Sequence, residues 1–199
     1  MNANDDSPLV LVIGGPNGAG KSTCAEFVLR DVLTGLDFVN ADTIARGLSR
    51  YRPETVAVEA GRLMLRRLQQ LGERRQNFAF ETTLSGRSHV KLLKGLVEQG
   101  YQFELFYVWL RSPDLAVKRV SDRVKQGGHE VPVQDIRRRY YRSVRNFFEL
   151  YMPLATRWRV YDNTGEHRTL VARGGTSRPT QVLQEKTYHA FQDAAKHAE

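Results

Sequence analysis

At 199 residues and 41% hydrophobic content, the chain has the size of one domain with a substantial core. It is too short for a large motor-type ATPase, and no continuous apolar stretch approaches the length needed to cross a bilayer. The net charge of +8, with seven Lys leaving 23 Arg among 30 basic residues, calls for an anionic partner. Arg suits forked contact with phosphate, so phosphorylated metabolites and nucleotides fit that excess. Nucleic acid is the less favoured partner, because the basic residues do not form a stripe interleaved with aromatics.

The N-terminus, Met1 to Ser7, is polar and acidic and has no apolar signal-peptide core. Cys24 is the single cysteine, which excludes an internal disulfide and agrees with a reducing cytoplasm. Residues 9–14 predict a buried strand, and Gly15-Pro16-Asn17-Gly18-Ala19-Gly20-Lys21-Ser22 follows it directly. That segment fits G-x-x-x-x-G-K-[ST] at every fixed position, and a helical pattern over residues 21–33 completes a strand, loop and helix unit. Glycines let backbone N–H groups converge on phosphate oxygens, and the helix start adds unpaired N–H groups and a positive dipole end. Gly15 to Thr23 therefore predict a nucleoside triphosphate site, for ATP or alternatively GTP, with Lys21 on the β/γ-phosphates and Ser22 on Mg2+. Cys24, in the first turns of that helix, reads as a packed small residue.

Residues 37–40 predict a short strand, and residues 53–71 a helix opened by Pro53. A third strand is expected over 77–81, a helix over 86–99 ended by Gly100, and a central strand over 103–110. Helices over 113–126 and 133–151 flank the loop 127–132. Strands at 157–162 and 169–172, a loop at 174–179 and a helix over 180–196 complete the chain. Strands alternating with helices of this length predict an α/β fold, a mostly parallel sheet with helices on both faces, as one domain over 1–199.

Ligands of such sheets bind at the carboxyl ends of the strands, which selects the polar residues there. Asn40-Ala41-Asp42 closes the second strand; Asp42 can accept the proton of an attacking hydroxyl or cap a helix behind it. Glu81-Thr82-Thr83 closes the third; Glu81 can bond a substrate hydroxyl or hold Mg2+ through water. Ser85, as contact or helix cap, and Arg87 stand around the same mouth. The strand over 103–110 ends without an acid, so the carboxylate that a motor ATPase would place there is missing.

Arg119 and Arg123 share a helix face, and Arg137, Arg138 and Arg139 follow the glycine-rich loop. The arrangement over about 119–142 reads either as a lid of guanidinium groups closing on the transferring phosphoryl or as a solvated basic face. Asn163 after the late strand reads as an adenine contact or an Asx-turn residue. The histidines show no metal-ligand spacing, and His129 alone stands in the lid.

In this order Gly14 to Thr23, Asn40-Ala41-Asp42, Glu81-Thr82-Thr83-Leu84-Ser85-Gly86 and Gly128-His129-x-Val131-Pro132 resemble the short, single-domain members of the zeta-toxin family. The best-known zeta toxins resemble nucleotide kinases and use ATP and Mg2+ to phosphorylate the 3′-hydroxyl of UDP-N-acetylglucosamine. The resemblance implies Asp42 as catalytic base, with Asn40, Glu81, Thr82, Thr83 and Arg87 on the sugar nucleotide. It implies Lys21, Arg123 and one of the three later arginines, taken as Arg139, on the phosphoryl group, and an antitoxin protein as a partner. Other acceptors on the same scaffold are an antibiotic, a sugar or a nucleic-acid end, and a nucleotide-dependent binding protein is the non-enzymatic alternative.

Overall fold

The computed structural model describes residues 7–32, 36–128 and 130–197, so His129 and Leu33 lie outside the described residues. Seven strands form one sheet in the order β2-β3-β1-β4-β5-β6-β7. These are β1 (Leu9–Gly14), β2 (Asp37–Val39), β3 (Phe78–Thr82), β4 (Gln102–Trp109), β5 (Arg157–Asp162), β6 (Thr169–Gly175) and β7 (Arg178–Val182). The first five are parallel, and β6 and β7 extend the sheet antiparallel at one edge. Val10, Leu11, Val12 and Ile13 are all buried, as a strand covered on both faces demands.

The helices are α1 (Lys21–Val32), α2 (Ala41–Leu48), α3 (Ala57–Glu73), α4 (Ser88–Glu98), α5 (Pro113–Lys125), α6 (Val133–Asn146) and α7 (Glu185–Lys196). A 3-10 turn over Pro53–Val56 precedes α3, so the expected helix from Pro53 becomes two elements. α2 was not expected; Asn40 caps it by accepting from the Asp42 and Thr43 amides. The expected helix over 180–196 starts only at Glu185, because β7 occupies 178–182 and turns the loop at 174–179 into a tight hairpin with β6. Pro179 is tolerated there because β7 is an edge strand with one neighbour.

The chain leaves β1 for β2 on one side, returns to β3, and then crosses β1 to β4. The crevice therefore opens at the end of β1, with Gly14 in register with Thr82 on β3 and Tyr107 on β4.

α6 is a core helix, not a free flap. Ile136, Tyr140, Ser143, Val144 and Asn146 form its buried stripe. Trp109 Nε1 donates to Tyr140 Oη at 3.0 Å, and Tyr140 Oη donates to the Leu110 carbonyl at 2.6 Å. The Tyr107 and Ser143 hydroxyls pair at 2.8 Å, so burial leaves no polar atom of this seam unmatched. Phe191 of α7 closes the seam against Tyr107, Trp109 and Phe147, with ring centroids 5.2–5.3 Å apart. The second helix of the lid expected over 119–142 is thereby bolted to β4.

His89 of α4 lies against Phe80 of β3 with centroids 5.2 Å apart, and burial pushes its imidazole down to about 4. The unfolded chain thus binds a proton that the folded chain refuses between about pH 6.5 and 4, and stability falls as pH falls through that window. The loss is at most about 3 kcal/mol. Urea unfolding at pH 7 and pH 4.5 should show a steeper acid loss in the wild type than in His89→Phe; equal slopes would remove His89 as the cause.

Candidate active site

The loop after β1 takes a backbone that its glycines permit. Gly15 has φ +147°, and a Cβ there would lie 2.2 Å from the Val108 carbonyl oxygen. Gly20 has φ +84°, and a Cβ there would meet the Asn163 amide at 2.7 Å. Pro16, Gly18 and Ala19 carry the loop round, with the Ala19 amide on the Pro16 carbonyl at 3.2 Å. Asn17 Oδ1 is buried there with no hydrogen-bond partner.

Lys21 opens α1 and is buried, its Nζ donating to the Pro16 carbonyl at 3.1 Å and standing 3.8 Å from Glu81 Oε1. Burial lowers its ammonium pKa, Glu81 and then Asp42 oppose that shift, and the Arg123 guanidinium adds to it. Two carboxylates and one guanidinium therefore act on the same buried cation. The Ser22 hydroxyl donates to Glu81 Oε2 at 2.9 Å, and Asn40 Nδ2 reaches the same oxygen at 3.3 Å. Thr23 is exposed on α1.

Asn40 is the cap of α2, so Asp42 does not cap; it occupies the exposed first turn with its carboxylate outside the cap bonds. The acid missing from β4 has a counterpart on β3, because β3 and not a later strand borders β1 on that side and ends in Glu81 beside Ser22. Thr82 Oγ1 accepts from the Leu84 amide at 3.3 Å, and the Thr83 and Ser85 hydroxyls pair at 2.8 Å. Ser85 is thus not a helix cap; Arg87, exposed, is the residue before α4 and makes no side-chain cap bond. Leu84 between them is left-handed, with φ +55°, at a cost of about 1–2 kcal/mol that the surrounding contacts must offset.

The arginines separate. Arg123, in the last turn of α5, acts on Lys21, and Arg119 one turn earlier donates to the Thr164 carbonyl at 3.2 Å. Arg137 pairs with Asp114 of α5, Arg138 pairs with Asp135 at 2.7 Å, and Arg139 stands 3.9 Å from Asp135. Arg138 and Arg139 meet Asp135 at ordinary helical spacing, whereas the pairing of Arg137 with Asp114, 23 positions away, leaves no local signal. Asn163 reaches the P-loop through its side chain: Nδ2 donates to the Ala19 carbonyl at 2.8 Å. The Asx turn belongs to its neighbour Asp162, whose Oδ1 accepts from the Thr164 amide at 2.9 Å.

The donor chemistry around Ser22 fits Mg2+. It offers hard oxygen atoms, a hydroxyl and a carboxylate, and among the described residues no group of three or more His, Cys, Asp or Glu forms a protein-only cage. That is the arrangement of a cation held largely by phosphates.

A protein-family model described as Zeta toxin matches residues 2–173. An uncharacterized protein of Haemophilus influenzae is 30% identical over 126 residues, which is 63% of this chain and 88% of that one. The AvrRxo1-ORF1:ORF2 complex solved with ATP contains a chain that matches 93% of this one at TM-score 0.72 and 16% identity. This chain spans 63% of that protein, just under two thirds of its length. The PezAT toxin–antitoxin structure of Streptococcus pneumoniae matches 98% of this chain and 89% of its own at TM-score 0.67 and 16% identity. At that identity the two structures speak for the fold. Among the described residues no helix is long and apolar enough to cross a membrane.

The Asn163 bond to Ala19 generates a test of what that residue does. If it braces the loop, Asn163→Ala should weaken ATP, GTP and inorganic tripolyphosphate alike, by about tenfold in calorimetric titration. A loss confined to ATP would make Asn163 a base contact instead.

Proposed function

Because the chain belongs to the zeta-toxin family and is an ATP-dependent phosphotransferase, we propose that it moves the γ-phosphoryl of ATP to a hydroxyl of a sugar nucleotide such as UDP-N-acetylglucosamine. The observation that carries this reading is the Glu81 carboxylate beside the buried Lys21 ammonium at the P-loop, bonded by Ser22 and by Asn40, the cap of the helix that presents Asp42. A hydrolase or switch needs the phosphate cradle. An acid presented beside it on a separate helix, clear of any cap bond, is what an acceptor hydroxyl needs.

The roles follow from position. Lys21 holds the β- and γ-phosphates, and Arg123 adds positive charge as the phosphoryl moves. Arg123, whose charge acts on the buried Lys21, is assigned to the transition state, with Arg139 of α6 as the second candidate. Ser22, with Glu81 behind it, would hold Mg2+, which neutralises phosphate charge when bound. Asp42 receives the acceptor's proton while the acceptor oxygen bonds to phosphorus and the bond from phosphorus to the ADP oxygen breaks. Asn40, Thr82, Thr83 and Arg87, at the ends of β2 and β3, offer the polar groups for a sugar and its phosphates. The partnered state of the two structural neighbours supports an antitoxin-like protein as the macromolecular partner of this chain.

Incubation with ATP, Mg2+ and a panel of UDP-sugars, other sugars, antibiotics and oligonucleotides, followed by mass spectrometry, should show one added phosphate on a UDP-sugar. Phosphate on another member would replace the acceptor, and bare hydrolysis across the panel would sink the kinase reading. Asp42→Asn should lower kcat for transfer by about 10²–10⁴-fold while the ATP dissociation constant stays put. Unchanged turnover would remove Asp42 from the reaction.

A further inference from the structure

α6 does not stop cleanly at Asn146; it widens into a π-helical turn over Phe147–Tyr151 before a 3-10 turn at Met152–Leu154. Such widenings insert one residue per turn and re-aim the side chains after them. Here the two side chains at the ends of the widened stretch reach the same distant target. Asn146 Nδ2 donates to the Leu84 carbonyl at 2.7 Å, and Tyr151 Oη donates to the Gly86 carbonyl at 2.9 Å. Both residues are buried, at 2% and 0% exposure. Their targets lie 62 and 65 positions away, in the turn that leaves β3 after Glu81.

That turn is held from the other side as well. The Leu84 side chain is fully buried, and a Cβ on Gly14 would lie 2.7 Å from its Cδ1, so it packs directly under the last residue of β1. Leu84 carries its left-handed backbone between these supports, and the Thr82, Thr83 and Ser85 hydroxyls sit on either side of it. Backbone in this region persists only where its surroundings over-determine it.

We propose that Asn146 and Tyr151 are positioning residues for the phosphate acceptor: by fixing the carbonyls of residues 84 and 86 they set the Thr82, Thr83 and Ser85 hydroxyls against the donor phosphate. This rests on the reading that the turn after β3 holds the acceptor. The P-loop has further supports, from Asn163 on Ala19 and Glu81 on Ser22, so loss of a bond from α6 falls first on the turn after β3 and far less on the nucleotide. A misplacement of about 1 Å at a reacting group is enough to cost on the order of 10²-fold in rate.

The test is steady-state transfer to UDP-N-acetylglucosamine and the rest of the acceptor panel by wild type, Asn146→Leu and Tyr151→Phe, alongside ATP titration. Asn146→Leu should raise the acceptor KM or cut kcat/KM for the acceptor by about ten- to a hundredfold, with ATP affinity changed less than about twofold. Tyr151→Phe keeps the ring and loses only the hydroxyl, so it should show the same split at about three- to tenfold, and it decides the matter alone if Asn146→Leu does not fold. Acceptor kinetics equal to wild type in both variants would overturn the proposal, as would ATP affinity falling in step with transfer. A wild type that phosphorylates no acceptor would instead overturn the kinase reading on which the proposal stands.

Discussion

The contact on which the site depends is the Glu81 carboxylate between Ser22, Asn40 and Lys21. It is the one place where β3, the start of α1 and the cap of α2 meet. Lys21 cannot be buried without a counter-charge, since desolvation alone drives its ammonium toward the neutral form. Glu81 supplies that charge and spends its second oxygen on Ser22 and Asn40. As a source of stability a buried pair of this kind is weak, because desolvation offsets most of the attraction. Its value is geometric: it sets the Ser22 hydroxyl, the Lys21 ammonium and the helix that presents Asp42 relative to one carboxylate.

The arginines and α6 show how a charge pattern misleads when packing is unknown. A basic helix after a glycine-rich loop looks mobile, yet every fourth or third residue of α6 is buried and its tyrosine and serine hydroxyls are paired with β4. Three guanidiniums on its rim face acids on α5 and α6. Arg123 differs because it ends α5, beside the loop, where its charge reaches Lys21.

What could be read from the sequence was whatever local spacing determines. The P-loop is contiguous, so its eight residues declared themselves; β1 and β4 are buried on both faces, so their apolar runs did too. α2 was left out because Asn40-Ala41-Asp42 read as a strand end, although Ala41, Ile44, Ala45 and Leu48 follow helical spacing. β7 was read as the end of a loop through Pro179 and the start of a helix at Thr180, and only the pairing with β6 shows it to be an edge strand. Glu81 was marked by closing an apolar strand, but its place beside Ser22 was not legible, because only the crossover that puts β3 next to β1 decides it. Asn146 and Tyr151 left no local signal at all, since their partners lie more than 60 positions away.

The site is hung from two separate sets of supports, and β1 divides them. On the β4–β5 side, Asn163 grips the Ala19 carbonyl and Arg119 grips the Thr164 carbonyl, so the nucleotide loop is tied to the end of β5 and to α5. On the β3 side, Asn146 and Tyr151 grip the turn after Glu81, so that half is tied to α6. The halves meet along the β1–β3 pairing and, at the P-loop, through Glu81 on Ser22 and Lys21 and Leu84 under Gly14. The turn beyond Glu81 hangs from α6 and the nucleotide loop from β5. A scaffold of this construction keeps one donor while its acceptor varies, which is why the fold identifies the chemistry sooner than it identifies the substrate.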